Sequence, residues 1–192
     1  MGGDFLTMDQ KLINEIREMP REIENLPNIT KKIIDDLKSK EFPIPIVKIV
    51  GDLNFFVGKQ QMEDNLSGYI VISDEVKERF GKRKLICVNT KDSIGHQRFT
   101  IAHELAHYLF DYDENENCEF YNTYKTDEVQ SDEEIRANKF AANLLMPEEE
   151  FKRQYNIFIH SESFYQNMTE YFQVSKKAVA RRIDELGLNN GD

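Results

Sequence analysis

The sequence has little cysteine and no long apolar run, and each shortage excludes a class of protein. Two cysteines in 192 residues, Cys87 and Cys118, are too few for a disulfide framework, which indicates a reducing compartment. No apolar run approaches the ~20 residues that a membrane-spanning helix needs, and the first residues do not form a basic-then-apolar signal. We therefore expect a cytoplasmic protein that does not associate with membranes.

Basic residues are also in deficit. The chain has 25 lysines and arginines against 35 aspartates and glutamates, so its formal net charge at pH 7 is −10. Such a charge disfavours nucleic-acid binding by the chain as a whole, although it leaves room for a local basic patch. The 40% hydrophobic content is typical of a globular protein, and the length suits one domain or one domain with a small appendage.

Histidine is scarce as well, but two of the four histidines stand four positions apart. His103, Glu104 and His107 form an H-E-x-x-H motif. On an α-helix, residues four apart lie on one face, so two imidazoles at this spacing can bind one Zn²⁺. Glu104 lies partly off that face, where it can accept a proton from a water on the metal without being a ligand itself.

Apolar residues recur at helical spacing around this motif, and no glycine or proline interrupts residues 99–110. This pattern predicts an amphipathic helix. An alternative is that both histidines are hydrogen-bonded core residues without a metal, in which case their nitrogens need other buried partners. The motif alone leaves both interpretations open.

A catalytic zinc normally has three protein ligands, so a third must lie elsewhere in the chain. The next helical pattern offers Glu134 and Asn138, four positions apart, as a ligand and as a hydrogen-bond partner that orients a ligand. Alternatively, Ser131 and Glu134 form a capping box, in which the glutamate returns to the Ser131 amide. Ligand and cap both remain open, with Asp132 and Glu133 as fallback ligands.

Two blocks of the sequence carry a more specific pattern. Residues 98–107 read R-F-T-I-A-H-E-L-A-H, and residues 134–147 read E-I-R-A-N-K-F-A-A-N-L-L-M-P. They resemble the R-F-T-x-A-H-E-x-x-H and E-x-x-A-N-x-F-A-x-x-L-L-M-P motifs of the ImmA/IrrE family of zinc metallopeptidases. The resemblance extends in order and spacing over roughly residues 30–187.

This resemblance implies a gluzincin-like site in which His103, His107 and Glu134 bind Zn²⁺ and Glu104 is the catalytic base. It further implies a cytoplasmic endopeptidase of the anti-repressor type, encoded by a mobile element or a stress-response locus. Such an enzyme cleaves or inactivates a helix-turn-helix transcriptional repressor. A regulator that binds the repressor without cutting it is the alternative.

Three strand-like runs, residues 54–57, 68–72 and 84–89, precede the motif helix. They predict an α+β fold with a minimal zincin-like core, in which a small sheet packs on the H-E-x-x-H helix beside a second ligand-bearing helix. An edge strand beside such a site can bind an extended substrate through main-chain hydrogen bonds. The run 84–89 is the candidate edge because it is the last before the motif, with a buried central strand as the alternative.

The sequence pattern also predicts the boundaries of the chain's parts. We expect a helical leader over residues 1–29, a metallopeptidase domain over 30–160 and a C-terminal helical segment over 161–192 that packs on the same domain. Thr30 is the expected N-cap of the first helix of the domain, which would extend to Lys40.

A long acidic connection over residues 111–130 separates the two site blocks, and we expect it to be a loop. Its Tyr121 and Tyr124 could donate a hydrogen bond to a developing oxyanion, or they could simply pack. His96, which follows a glycine just before the motif, is expected to lie in a surface loop.

The C-terminal segment predicts a helix over 163–172, a turn at Gln173, and a second helix that Ser175 caps and Gly187 ends. The second helix is locally basic, with Lys176, Lys177, Arg181 and Arg182. This helix-turn-helix-like pattern makes DNA binding a rival function. The alternative is ordinary helix packing with a solvated basic face, which the overall negative charge favours.

Overall fold

A computed structural model describes residues 10–37, 41–112, 118–124 and 131–188, with side chains for all of them except Gln10 and 118–124. Within these ranges, helices surround one small sheet. The helices are α1 (Gln10–Glu18), α2 (Leu26–Asp36), α3 (Ile46–Asp52), α4 (Asp74–Phe80), α5 (Ile94–Phe110), α6 (Asp132–Leu145), α7 (Glu148–Phe158), α8 (Phe164–Phe172) and α9 (Lys176–Glu185). The strands are β1 (Phe55–Gln60), β2 (Leu66–Ile72), β3 (Lys84–Asn89) and β4 (Cys118–Tyr124). The predicted α+β fold with a minimal zincin-like core is confirmed.

The sheet has the strand order β1-β3-β2-β4, in which β3 pairs parallel with β1 and antiparallel with β2. The three predicted strands are therefore present, but the prediction that 84–89 forms an edge is wrong. β3 lies inside the sheet, and all its residues from Leu85 to Asn89 are buried. A strand buried on both faces has a continuous apolar run, and L-I-C-V in β3 is such a run.

The fourth strand corrects a second prediction. The acidic connection after α5 is not wholly a loop, because β4 lies in it and pairs antiparallel with β2 at the edge of the sheet. Its sequence, C-E-F-Y-N-T-Y, has the aromatic and β-branched residues typical of strands. The side chains of Tyr121 and Tyr124 lie outside the described residues, so the choice between oxyanion donor and packing stays a prediction.

The two faces of the sheet pack against different helices. Alternate residues of β3 point to opposite faces, so Ile86 and Val88 join the main core with α5, whereas Leu85 and Cys87 pack in a smaller cluster with α4. The sheet lies very close to α5 at Gly68, where a Cβ atom would be 2.7 Å from Cγ2 of Thr100. This glycine lets the sheet support α5 directly.

The C-terminal helices follow the predicted pattern closely. Gln173 adopts a left-handed conformation with φ of 49°, and the Ser175 hydroxyl accepts a hydrogen bond of 3.1 Å from the Ala178 amide. Helix α9 ends before Gly187, whose φ is 62°. Both helices contribute to the same core cluster as α1, α5 and α6, through residues such as Phe172. The division of the chain into three parts stays a prediction.

The basic face of α9 is smaller than the sequence indicates. The side chain of Arg182 is 4% exposed, and its guanidinium donates to Met146 O at 3.1 Å and to Asn143 Oδ1 at 2.9 Å. Arg182 therefore stabilises the carboxyl end of α6 and does not face the solvent. The predicted contribution of Arg182 to a solvated basic surface is wrong.

Two local predictions near the helix starts are also wrong. Helix α2 begins at Leu26, and Thr30 lies buried inside it, where its hydroxyl donates to Leu26 O at 3.0 Å. Pro27 suits the first turn of a helix, which explains the earlier start. Helix α5 begins at Ile94 with Ser93 as its N-cap, so His96 is a helical residue instead of a loop residue. No helix among the described residues is both long and apolar enough to cross a membrane.

Candidate metal centre

Helix α5 places the two motif histidines on one buried face. Ser93 caps the helix, which then extends for 17 residues without a break. His103 and His107 are 1% and 4% exposed, and their Nε2 atoms are 3.0 Å apart. The four-residue spacing therefore brings the two nitrogens together in the way that helical periodicity predicts.

Helix α6 brings a carboxylate to the same point. Glu134 Oε2 lies 3.3 Å from His103 Nε2, and Glu134 Oε1 lies 3.2 Å from His107 Nε2. One donor atom from each of the three residues falls within 4.8 Å of the others, a spacing that can accommodate a metal ion. Two imidazole nitrogens and one carboxylate form the donor set that Zn²⁺ takes in catalytic sites.

Of the predicted capping box, the structure contains the hydrogen bond to the Ser131 hydroxyl. The Ser131 hydroxyl accepts a hydrogen bond of 3.4 Å from the Glu134 amide, so Ser131 does cap α6. The Glu134 carboxylate, however, contacts the two histidines and so serves the site as well. Asp132 and Glu133, the fallback ligands, are exposed at the start of α6 and do not belong to the three-residue group.

The far nitrogen of each histidine ring also has a partner. Nδ1 of His103 lies 3.1 Å from Asn138 Oδ1, and Nδ1 of His107 lies 2.8 Å from Asp111 Oδ2. Because both partners are oxygen acceptors, each Nδ1 is placed to donate its proton, so Nε2 is the nitrogen that would bind a metal once any proton on it is lost. Imidazoles that bind metal through one nitrogen are usually held in this way at the other.

The electrostatics of the cluster suit a cation. Burial lowers the pKa of His107, but its hydrogen bonds to Asp111 and Glu134 outweigh that effect and raise the pKa to about 9. The hydrogen bonds from His103 and His107 hold the pKa of Glu134 well below its usual range. The site therefore favours positive charge between Glu134 and the histidines, which a divalent cation would supply in place of the proton.

Glu104 and Tyr108 lie on the same helix and differ in their surroundings. Glu104 is fully buried beside His103 in the sequence, as a base that works in a water-poor site would be. Tyr108 is also buried, but its hydroxyl accepts a hydrogen bond of 2.9 Å from Lys84 Nζ on β3. Tyr108 therefore contacts the sheet through its hydroxyl.

Two residues that contact the site, or contact a residue of it, were not predicted from the sequence. Asp111 is four positions after His107, and this spacing alone could have indicated that the two side chains meet. Arg136, on α6, forms an ion pair with Asp111. Nothing in the sequence indicates this second contact, because it depends on how α5 and α6 pack.

Comparison with known proteins supports the metal centre. The family model of the IrrE N-terminal-like domain (Peptidase_M78) matches residues 61–184, more than half of the chain and all of α5 and α6. A search of curated proteins finds no match to this chain. The matched family consists of metal-dependent peptidases. The chain therefore belongs to the IrrE N-terminal-like family of metallopeptidases, as the two motif blocks predict.

Proposed function

We propose that the protein is a zinc-dependent endopeptidase in which His103, His107 and Glu134 bind the metal and Glu104 is the catalytic base. The observation that carries this proposal is the convergence of the three donor groups within 4.8 Å on two helices. Membership of a metallopeptidase family supports the reaction class. Zinc in such a site supplies a Lewis acid that polarises the scissile carbonyl and activates water.

Other residues of the chain orient the ligands and transfer the proton. Asn138 and Asp111 hold the two imidazoles so that Nε2 of each points at the Glu134 carboxylate. Glu104 accepts the proton of the attacking water and passes it to the leaving amine. The burial of Glu104 excludes bulk water and strengthens its electrostatic interaction with the reacting groups.

We further propose that the substrate binds as an extended segment along β4. This strand is at the edge of the sheet, and it is connected to α5 on one side and to α6 on the other. An edge strand offers unpaired main-chain groups that an extended peptide can bind. β4 thus takes the role that the sequence pattern assigned to residues 84–89.

The partner that we propose is a helix-turn-helix transcriptional repressor in the cytoplasm, which the protein cleaves as an anti-repressor. This part rests on the family resemblance of residues 98–107 and 134–147. A repressor-binding regulator that does not cut its partner is the competing proposal. Direct DNA binding has less support, since Arg182 is buried and only the rest of the basic set on α9 is exposed.

The substitution Glu104→Gln separates the enzyme from the regulator. It removes the base but keeps the size of the side chain, so zinc content and repressor binding should remain while cleavage fragments disappear. The matched control is Glu133→Gln, which changes an exposed carboxylate beside the ligand Glu134 and should leave cleavage intact. Zinc per chain, repressor fragments and expression of a repressed reporter are measured for all three proteins. Full derepression by Glu104→Gln would refute the proteolytic mechanism.

A further inference from the structure

The carboxyl end of α5 meets α6 through a charged pair. Asp111 follows the last residue of α5 and places Oδ2 2.8 Å from His107 Nδ1, while its Oδ1 pairs with Arg136 on α6. The side chains of Asp111 and Arg136 are 17% and 19% exposed, which is low for charged groups. The Arg136 guanidinium also lies 5.6 Å from the centroid of the Phe110 ring.

The two candidate ligand histidines are therefore held by different chemistry. His103 has a neutral amide, Asn138, as its outer partner, whereas His107 has a carboxylate. A charged acceptor makes a shorter and stronger hydrogen bond than a neutral one, and a carboxylate partner raises the basicity of the imidazole. His107 is thus the more firmly oriented of the two rings.

The charged pair also links the helices that carry the ligands. Arg136 is two residues after Glu134 on α6, so its contact with Asp111 joins the helix of the carboxylate to the end of the helix of the histidines. The backbone at this end of α5 has a further support, because Arg21 Nη1 donates to Phe110 O at 2.6 Å. Asp111 is consequently fixed both through its side chain and through the backbone before it.

We propose that Asp111 and Arg136 form a clamp that positions His107 for the metal and fixes the distance between α5 and α6 at the site. Neither residue touches the metal, so both are positioning residues. Arg136 acts through Asp111, since Arg136 pairs with the Asp111 carboxylate and that carboxylate contacts His107. The proposal rests on the proposed metal site and adds to it the residues that determine its affinity and geometry.

Zinc affinity and the spectrum of a cobalt-substituted protein test the clamp. Asp111→Ala should weaken zinc binding about 10–100-fold in a chelator competition at about pH 9.5, the usual effect of losing an outer partner of a metal ligand. Asp111→Asn keeps an oxygen that can accept a hydrogen bond from the His107 ring, so this variant should lose less zinc affinity. The visible absorption of bound Co²⁺ should shift in Asp111→Ala, because it depends on ligand geometry and not on overall stability.

Arg136 provides the second arm of the experiment. Arg136→Gln should weaken zinc binding, and Arg136→Lys, which keeps the charge, should restore part of the affinity. In the double variant with Asp111→Ala, Arg136→Gln should cause no further loss of zinc affinity, since the carboxylate through which Arg136 acts is already removed. The matched control is Asp52→Asn, another helix-terminal aspartate with a basic partner, Lys48, at 2.7 Å, and it should leave affinity unchanged.

The outcomes separate this proposal from the one on which it rests. A wild-type protein that binds no zinc or cobalt would overturn the metal site itself. Wild-type zinc binding with equal affinity and an unchanged cobalt spectrum in Asp111→Ala and Asp111→Asn would overturn only the clamp. Fully additive losses in the double variant would show that the two residues act independently, which also contradicts the clamp.

Discussion

Zinc binding should release a proton and should therefore strengthen as the pH rises. The affinity for zinc should therefore increase when the pH is raised from 6.5 to 9. Because the pKa of His107 is raised to about 9, its ring is protonated at pH 7 in the metal-free protein and must lose that proton to bind a metal. Glu134, whose pKa is lowered, is already ionised at pH 7 and adds no proton to the count.

The size of the effect follows from the distance between the pKa and the working pH. With a pKa of about 9 for His107, pH 7 lies about two units below it, so apparent affinity at pH 7 should be ~100-fold weaker than above pH 9. This difference corresponds to about 2.7 kcal/mol. The His107 side chain is only 5% exposed, so solvent screens the interaction little. The logarithm of the association constant should rise with a slope of about one per pH unit and level off above pH 9.

Calorimetry in two buffers of different ionisation enthalpy measures the protons released, and about one per zinc is expected at pH 7. Chelator competition at each pH gives the affinity. Asp111→Asn is the informative variant, because Asp111 helps to raise the pKa of His107 and its loss should move the plateau to lower pH. An affinity that stays flat between pH 6.5 and 9, with no proton released, would contradict a raised pKa for His107.

Two predictions concern the stability of the scaffold, and thermal unfolding checks both. Gly95→Ala places a Cβ atom 2.6 Å from the carbonyl carbon of Val174 and should cost about 1–3 kcal/mol, whereas Gly51→Ala, a helical position with open space, should be neutral or slightly stabilising. Equal unfolding temperatures for the two variants would contradict this close contact. Arg182→Gln should cost about 1–3 kcal/mol because it leaves the buried end of α6 without its donor. The exposed Arg181→Gln should cost less than about 0.5 kcal/mol, and a loss of similar size there would contradict the assignment.

The histidine pair was predictable because the helical repeat fixes which residues share a face. The proposed third ligand was harder to identify, since Ser131 and Glu134 fit both a capping box and a metal site. In the structure, the amide of Glu134 donates to the cap residue Ser131 while its carboxylate contacts His103. A sequence pattern gives only the residue type at each position. It does not show that the main-chain amide and the side chain of one residue have different partners.

Strand order could not be predicted from strand pattern. The parallel pairing of β1 with β3 places β3 inside the sheet, although it is the last predicted strand in the sequence. β4 was missed because acidic segments surround its short run of strand-forming residues. Local patterns identify elements, whereas the neighbours of each element depend on contacts between distant parts of the chain.

Both ends of α5 form hydrogen bonds with distant parts of the chain, so the stage of synthesis at which these bonds can form differs from that of the helix itself. At the amino end, Arg98 Nε donates to Gln173 O, 75 positions later in the chain. At the carboxyl end, Arg17 Nη2 donates to Tyr108 O, 91 positions away. Contacts with large sequence separation form late because a long loop must close first. The helix that carries the histidines is therefore fully secured only after residue 173 has left the ribosome, so a nascent chain should have little proteolytic activity while it is still being made.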